Sequence, residues 1–518
     1  MTVGGGGLPL AELVASLALA TDVAMGHPFE QGLGTCLVAT RLGMLAGLSG
    51  EDLSRTYHLA LLRHIGCTTE NDRLAALVGD EIRLSGSIDH LSGAKASEYM
   101  AAFVRFVTDG KPLLAKPAAI ARLLAGMRGF NAANRAICEV AQMLATRLGS
   151  DPGIVEAIGA VYERWDGKGF PNGVRGPDIP LTIRITQVAD LASALHDLGH
   201  RDVAGVIRSR GGSGFDPDLV ELFLSNVEAV LAELETTSRW DAVLDLEPEG
   251  GVTLTGVRLD EALRAMADFA DLKSPYLVGH SSGVATLARA AAERLGLPAA
   301  DALDVQWAAL VHDLGRVSVS AAVWGKAGPL TAGEWEGVRL HPYQTDRVLN
   351  RSPFLRRLAA TASLHHERMD GSGYFRGAPA SQLTPGARVL AAADAYHAML
   401  EPRPHRSAFE PGQAGARLQD EVRAGRLDRS AADAVLEAAG HRVGRRSEHA
   451  AGLTARELEV LRLIARGMST RDVARSLVIS PKTAEHHIEA IYAKAGVTTR
   501  AAASVFAMQH GLMDPLSV

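Results

Sequence analysis

Cysteine is almost missing from this chain of 518 residues. Cys36, Cys67 and Cys138 are an odd number without Cys-x-x-Cys spacing, which fits a reducing cytoplasm and reads as three small buried apolar side chains. Aromatic residues are also few, at 5%; with Ala and Leu abundant, helix is favoured over sheet. Long hydrophobic runs are absent. The most apolar stretch, Leu13–Ala20, is too short to span a bilayer. No Lys or Arg precedes Arg41, so the start lacks the charged head of a secretion signal. These gaps predict a cytoplasmic protein without a membrane partner.

What is present is a long chain, 47% hydrophobic, enough for about three domains with packed cores. The net charge of −6 is unevenly spread. Residues 441–518 hold eleven Arg and Lys against seven Asp and Glu, so the tail carries +4 and the remainder −10. That asymmetry marks a specialised tail.

The chemistry concentrates in one region. His312-Asp313 is followed by His341, the pair His365-His366, and Asp394 on an Ala-rich segment. Neutral imidazoles suit Fe, Mn, Zn or Ni, and a carboxylate has two oxygens with which to bridge two cations. Two neighbouring metals are the usual apparatus for phosphodiester cleavage, because they activate water and neutralise phosphoryl charge.

The stretch from about Leu272 to Arg406 resembles the HD-GYP phosphohydrolases, an all-helical branch of the HD superfamily that hydrolyses cyclic di-GMP. Gly279-His280-Ser281, Val311-His312-Asp313-Leu314-Gly315, His341-Pro342, His365-His366-Glu367, Asp370-Gly371-Ser372-Gly373-Tyr374 and Ala393-Asp394-Ala395 carry the likeness. The resemblance implies two divalent transition metals, Fe or Mn before Zn or Ni. His280, His312, Asp313 and Asp394 would hold one; Asp313 would bridge to a second held by His341, His365 and His366. It also implies phosphate-binding roles for Arg316, Lys326, Arg403 and Arg406, a substrate contact for Tyr374, and catalytic roles for Asp313, Arg316 and Lys326. Arg316 stands where the family has Lys and Phe375 where it has Pro, while Tyr276 replaces an extra Glu ligand of some members. The last difference favours two metals over three.

The tail carries helix-start signals. Thr454-Ala455-Arg456-Glu457 is a capping box, Ser469-Thr470-Arg471-Asp472 repeats it with Asp, and Ser480-Pro481 puts a cap and a first-turn proline on a third helix ending at Gly496. Two short helices leading by a tight turn into a third is helix-turn-helix grammar. Residues 453–512 resemble the LuxR-type helix-turn-helix. The resemblance implies duplex DNA as partner, with Lys482, Glu485 and His486 facing base edges. Thr483, His487 and Lys494 would approach the backbone, and Thr470 and Ser480 complete the contact set.

The first half repeats the second. Glu163-Arg164-Trp165-Asp166-Gly167-Lys168-Gly169-Phe170 echoes Glu367-Arg368-Met369-Asp370-Gly371-Ser372-Gly373-Tyr374, and Asp394 follows Asp190 by the same 204 residues that separate Asp370 from Asp166. Arg63-His64 stand at the His-Asp position and Val161-Tyr162 at the His pair. The first half is thus expected to be a degenerate partner domain for packing, dimerisation or sensing; the competing reading is an unrelated helical domain with one similar loop. The expected architecture is all-α: a degenerate HD-type domain at 1–235, a linker at 236–257, an HD-GYP domain at 258–440, a linker at 441–452 and a helix-turn-helix domain at 453–518. Three functions stay open: a DNA-binding regulator whose phosphodiesterase domain opens cyclic di-GMP, a non-catalytic ligand-sensing transcription factor, or a hydrolase of another phosphate ester. A homodimer is the expected state.

Overall fold

The computed structural model describes residues 7–248, 251–440 and 453–513. It is all-α apart from two short strands, Leu8–Pro9 and Thr253–Leu254, which pair antiparallel. The chain divides into two compact units, residues 1–259 and 260–518.

Each unit is built around one helix buried on nearly every face, as a helix apolar all round must be. In the first unit this is Leu181–Asp197, with Ile185 to Leu195 continuously buried. Gln31–Leu45 and Gly50–Leu62 pack against it. In the second it is Pro385–Leu400, started by the Thr384 hydroxyl, which accepts from the Ala387 amide at 3.2 Å, and by a first-turn proline. His280–Arg294 and Ala299–Val311 complete that core. The two buried helices carry Asp190 and Asp394, at the 204-residue spacing.

The repeat extends to hydrogen bonds. Glu163 accepts from the Asn172 amide at 2.7 Å, and Glu367, 204 residues on, from the Arg376 amide at 2.8 Å. Asp22 accepts from the Gly32 amide at 3.0 Å and Asp271 from the Ser281 amide at 2.9 Å, here 249 residues apart. The change of register from 249 to 204 means that the first half carries 45 extra residues between these landmarks. They form the helices Asn71–Val78, Glu81–Ile88, Ala96–Thr108 and Lys116–Gly126, around a small core of Leu84, Phe103, Val107 and Leu123.

The stretch 236–257 is not the bare linker that its Pro and Gly residues suggest. It contains helix Arg239–Asp245, capped by Ser238 and burying Trp240 and Val243. Arg239 holds Asp197 through two contacts of 2.6 and 2.8 Å, so the first unit runs past residue 235. The expected linker at 441–452 lies outside the described residues.

The tail forms Ala455–Ala465, Thr470–Ser476 and Pro481–Ala495, started by Thr454, Ser469 and Ser480. A fourth helix, Arg500–Gln509, begins at a Thr499 cap, beyond the three that the sequence signals predict.

A Cβ at Gly373 would collide with the backbone of Glu367 and Arg368. Gly373→Ala should therefore cost about 1–3 kcal/mol of stability, read as a lower denaturant midpoint. An unchanged midpoint would show that the loop yields freely.

Candidate metal centre

Four helix ends and one helix interior converge on Asp313. Its helix, Ala299–Val311, stops just before His312, so the naming pair sits at a helix end pointing into the core. His280 opens helix His280–Arg294 after Gly279, whose φ of 82° favours glycine. His341 opens helix His341–Leu349, and His365-His366 follow the end of helix Pro353–Ala362. Asp394 comes from inside the buried helix Pro385–Leu400.

The Asp313 carboxylate is fully buried, and its two oxygens face different partners. Oδ2 lies 2.9 Å from His312 Nε2 and 3.4 Å from His280 Nε2. Oδ1 lies 3.4 Å from His341 Nε2 and 3.3 Å from His365 Nε2. Asp394 closes the first set, with Oδ1 3.1 Å from His280 Nε2, and approaches His366 Nδ1 at 3.8 Å through Oδ2.

The tautomers follow from the backbone. His312, His341 and His365 each donate Nδ1–H to the carbonyl three residues earlier, Ala309, Val338 and Ala362, at 2.6 to 2.7 Å. Each ring therefore turns Nε2 inward, and on His341 and His365, which burial keeps neutral, that atom carries a lone pair. His341 and His365 bring those lone pairs within 3.2 Å of each other, an arrangement that a shared cation relieves. His312 Nε2 and both Asp313 oxygens are buried without an aligned hydrogen bond. The ligand atoms of His280, His312 and Asp394 lie within 4.8 Å of one another, as do those of His341, His365 and His366, and a third group joins His312, Asp313 and His365. A nitrogen-and-oxygen donor set of this kind fits divalent transition metals.

Charge differs across the centre. Burial opposes protonation of His312, yet Asp313 and Asp394 outweigh it and carry its pKa up to about 9. Burial wins at His365, whose pKa falls to about 4, and at His366, held well below its ordinary value. Burial thus keeps the second set neutral, whereas the neighbouring carboxylates favour a cationic ring in the first.

One residue here, Glu401, escapes the sequence reasoning. Glu401 accepts from His280 Nδ1 at 2.9 Å, fixing that ring so that Nε2 faces Asp394. His397 is buried 3.3 Å from the other Glu401 oxygen. The signal was available: Glu401 lies seven residues after Asp394, two turns along the same helical face.

Several cations expected on phosphates are engaged elsewhere. Lys326 is bound by Glu334 at 2.6 and 2.9 Å, because Glu334 also closes the capping box of helix Ala332–Arg339 and is held in place. Arg403 pairs with Glu401 at 2.8 Å. Arg406 donates to the carbonyls of Ala398, Glu401 and Ser407 and ties down its own loop. Arg316 is buried with Nη1 2.8 Å from Asp313 Oδ2 and its guanidinium over the Trp324 ring. Tyr374 covers His366, ring centroids 4.7 Å apart.

In the tail, Lys482, Glu485 and His486 are exposed along one side of helix Pro481–Ala495, with His487 half-buried. Ser480 caps that helix by accepting from the Thr483 amide at 3.0 Å, and the two hydroxyls lie 2.8 Å apart. Thr470 begins the preceding helix and is half-buried. Lys494 departs from the expected backbone contact: it bonds both oxygens of Glu457, at 2.7 and 2.8 Å, since that nearly buried capping carboxylate requires a cation.

Among its described residues the first unit has no equivalent centre. Among the described residues, the His, Cys, Asp and Glu groups arranged to hold a metal all lie between His280 and Glu401. Arg63 reaches Asp190 at 3.0 Å, His64 lies 3.3 Å from the same carboxylate, and Ser92 donates to it at 3.2 Å. Ile137 stands 204 residues before His341.

The HD domain family matches residues 129–217 and 264–431, and the luxR family of bacterial regulatory proteins matches 451–507. The 3'3'-cGAMP-specific phosphodiesterase 3 of Vibrio cholerae is 30% identical over 438 residues, 82% of this chain and 93% of that protein. The chain belongs to the HD-GYP family of metal-dependent phosphohydrolases. A cyclic di-GMP phosphodiesterase of Thermotoga maritima is 32% identical over 149 residues, 28% of this chain and 40% of its own length. A solved structure of a Vibrio cholerae phosphodiesterase specific for cyclic GMP-AMP aligns with a TM-score of 0.57 at 26% identity, covering 84% of this chain and 98% of that one. The HD-GYP enzyme thus carries a LuxR-type domain at its C-terminal end. No helix among its described residues is long and apolar enough to cross a membrane.

The two halves give a paired test. Asp394→Ala should lower bound metal. Asp190→Ala should leave metal content unchanged yet cost about 3–5 kcal/mol, because it strands the buried Arg63 charge. Elemental analysis and denaturant unfolding read the two effects; equal metal loss in both variants would place the first half in the metal chemistry.

Proposed function

We propose that this enzyme hydrolyses a 3'–5'-linked cyclic purine dinucleotide at two metal ions and binds duplex DNA through its tail as a transcriptional regulator. The observation that carries the first part is the division of Asp313 between two sets of imidazoles, with one oxygen for each. His280, His312, Asp313 and Asp394 would hold one ion and Asp313, His341, His365 and His366 the other, with Fe or Mn our choice for this mixed donor set. A metal pair bound there supplies an activated water and neutralises charge on the phosphoryl oxygens.

The chain's own residues do the rest. Glu401 orients His280, the three carbonyls orient His312, His341 and His365, and Tyr374 shields His366 from water. Arg316, beside Asp313, adds positive charge where negative charge develops. Water adds at phosphorus, the bond to the ribose oxygen breaks, and that oxygen leaves with a proton, giving a linear dinucleotide. Relatives named for 3'3'-cGAMP and for cyclic di-GMP support the substrate class. Ligand sensing without turnover is the second reading, favoured by the engagement of Lys326, Arg403 and Arg406 within the protein.

For the tail, the exposed Lys482, Glu485 and His486 support insertion of helix Pro481–Ala495 into the major groove. One such helix reads one half-site, so a homodimer would read two.

Purified protein should contain close to two transition metal ions per chain and convert 3'3'-cGAMP or cyclic di-GMP to a linear product, detected by chromatography. Binding of either without product, in both Mn and Fe, would favour the sensor. Lys482→Ala should weaken binding to a selected DNA site by about 1–3 kcal/mol and relax one base position. Equal weakening on all sequences, with a shallower salt dependence, would make Lys482 a phosphate contact.

A further inference from the structure

Aromatic residues are scarce, yet one of the largest stands exposed beside the metal centre. Trp335 keeps 46% of its surface open on helix Ala332–Arg339. Its ring lies 6.0 Å from Tyr374, steeply inclined at 72°, and Tyr374 lies 4.7 Å from His366 at 33°. A ladder of rings therefore runs from a candidate metal ligand to the surface. Arg339, one turn beyond Trp335 on the same helix, sets its guanidinium 5.9 Å from the Tyr374 ring centre.

This platform is held firmly. The helix starts at the Thr331–Glu334 capping box, which Lys326 braces from the preceding loop. At its other end the Val338 carbonyl accepts from His341 Nδ1 at 2.6 Å, so the element that presents Trp335 also orients a ligand of the centre.

We propose that Trp335 forms, with Tyr374 and Arg339, a stacking subsite for one purine base of the cyclic dinucleotide. The proposal rests on the reading of the metal centre given above. A cyclic dinucleotide with one phosphate at the metals carries its bases out to either side within a nucleotide's reach. An exposed indole offers a flat face to such a base, and stacking tolerates either purine because each has a π-face. The adjacent guanidinium adds attraction for a base edge or for the second phosphate. Trp335 thus contributes to substrate binding and discriminates purine dinucleotides from small phosphate esters.

The test uses the full chain with Trp335→Ala and Trp335→Phe. Cyclic di-GMP and 3'3'-cGAMP are the ligands, and inorganic phosphate is the probe without a base. With turnover, Trp335→Ala should raise KM about ten-fold while kcat, metal content and inhibition by phosphate stay at the wild-type level, and Trp335→Phe should recover most of the loss. Without turnover, Kd from calorimetry should show the same about ten-fold change. An unchanged KM or Kd in Trp335→Ala overturns the subsite, as does an equal loss of phosphate inhibition, which would assign the effect to the metal centre. A wild type that binds dinucleotide but forms no product overturns the phosphodiesterase reading alone; one that neither binds nor cleaves overturns both.

Discussion

The second unit is organised around a single buried carboxylate. Asp313 has no solvent to satisfy it, and a lone ionised acid in such a place costs several kcal/mol. Arg316, three residues on, answers part of that demand; the Nε2 atoms of four imidazoles face the same carboxylate, as they would around a bound cation, and those of His280, His341 and His365 come from helices far apart in sequence. Bringing them together obliges the His280 and His341 helices to start, and the Ala299–Val311 and Pro353–Ala362 helices to stop, at one point. The fold around the centre is largely the set of helix boundaries that this point requires. Gly315 shows how tight the result is: a Cβ there would meet the His341 carbonyl and the Thr345 backbone.

The duplicated first half shows the same frame after its chemistry has changed. The Asp22 and Asp271 caps, the Glu163 and Glu367 loops, and the Asp190 and Asp394 helices correspond residue by residue. What differs is how the central carboxylate is compensated. In the second half imidazole lone pairs converge with carboxylate oxygens; in the first, the guanidinium of Arg63 sits against Asp190. Burial pushes the Asp190 carboxyl upward, but Arg63 and His64 outweigh it and keep it below the ordinary carboxylate range.

Much of this was legible in the chain itself. Adjacent His312-Asp313 and His365-His366 advertise metal chemistry because two ligating side chains rarely stand together on apolar helices, and the structure brings these four together with His280, His341 and Asp394. Helix caps at Thr454, Ser469 and Ser480 were readable because a hydroxyl before a helix has a local role. Glu401 was not, since a single acid acquires meaning only from the ring it faces. Lys326 and Lys494 misled for the converse reason: a basic side chain shows its charge in the sequence but hides its nearest acid, here Glu334 and Glu457. The Arg239–Asp245 helix was lost among turn-forming neighbours, although Ser238 signals its start. The four helices inserted between Gly66 and Ile137 blurred the repeat, because they shift its register midway.

The Arg63–Asp190 pair makes the two halves depend on different things. A metal ion can be lost and regained as its supply varies, but a guanidinium is tethered to the backbone and is always at full occupancy. Arg63 stands at the position of His312, and the counterparts of His341, His365 and His366 are Ile137, Val161 and Tyr162. Single substitutions toward a metal site are opposed by this pair. A new histidine beside Arg63 would face a cation already in place, and removing Arg63 first would leave Asp190 buried without a partner. One half thus carries the counter-charge of its buried acid on the backbone, while in the other the buried acid faces imidazoles among which a metal would fit.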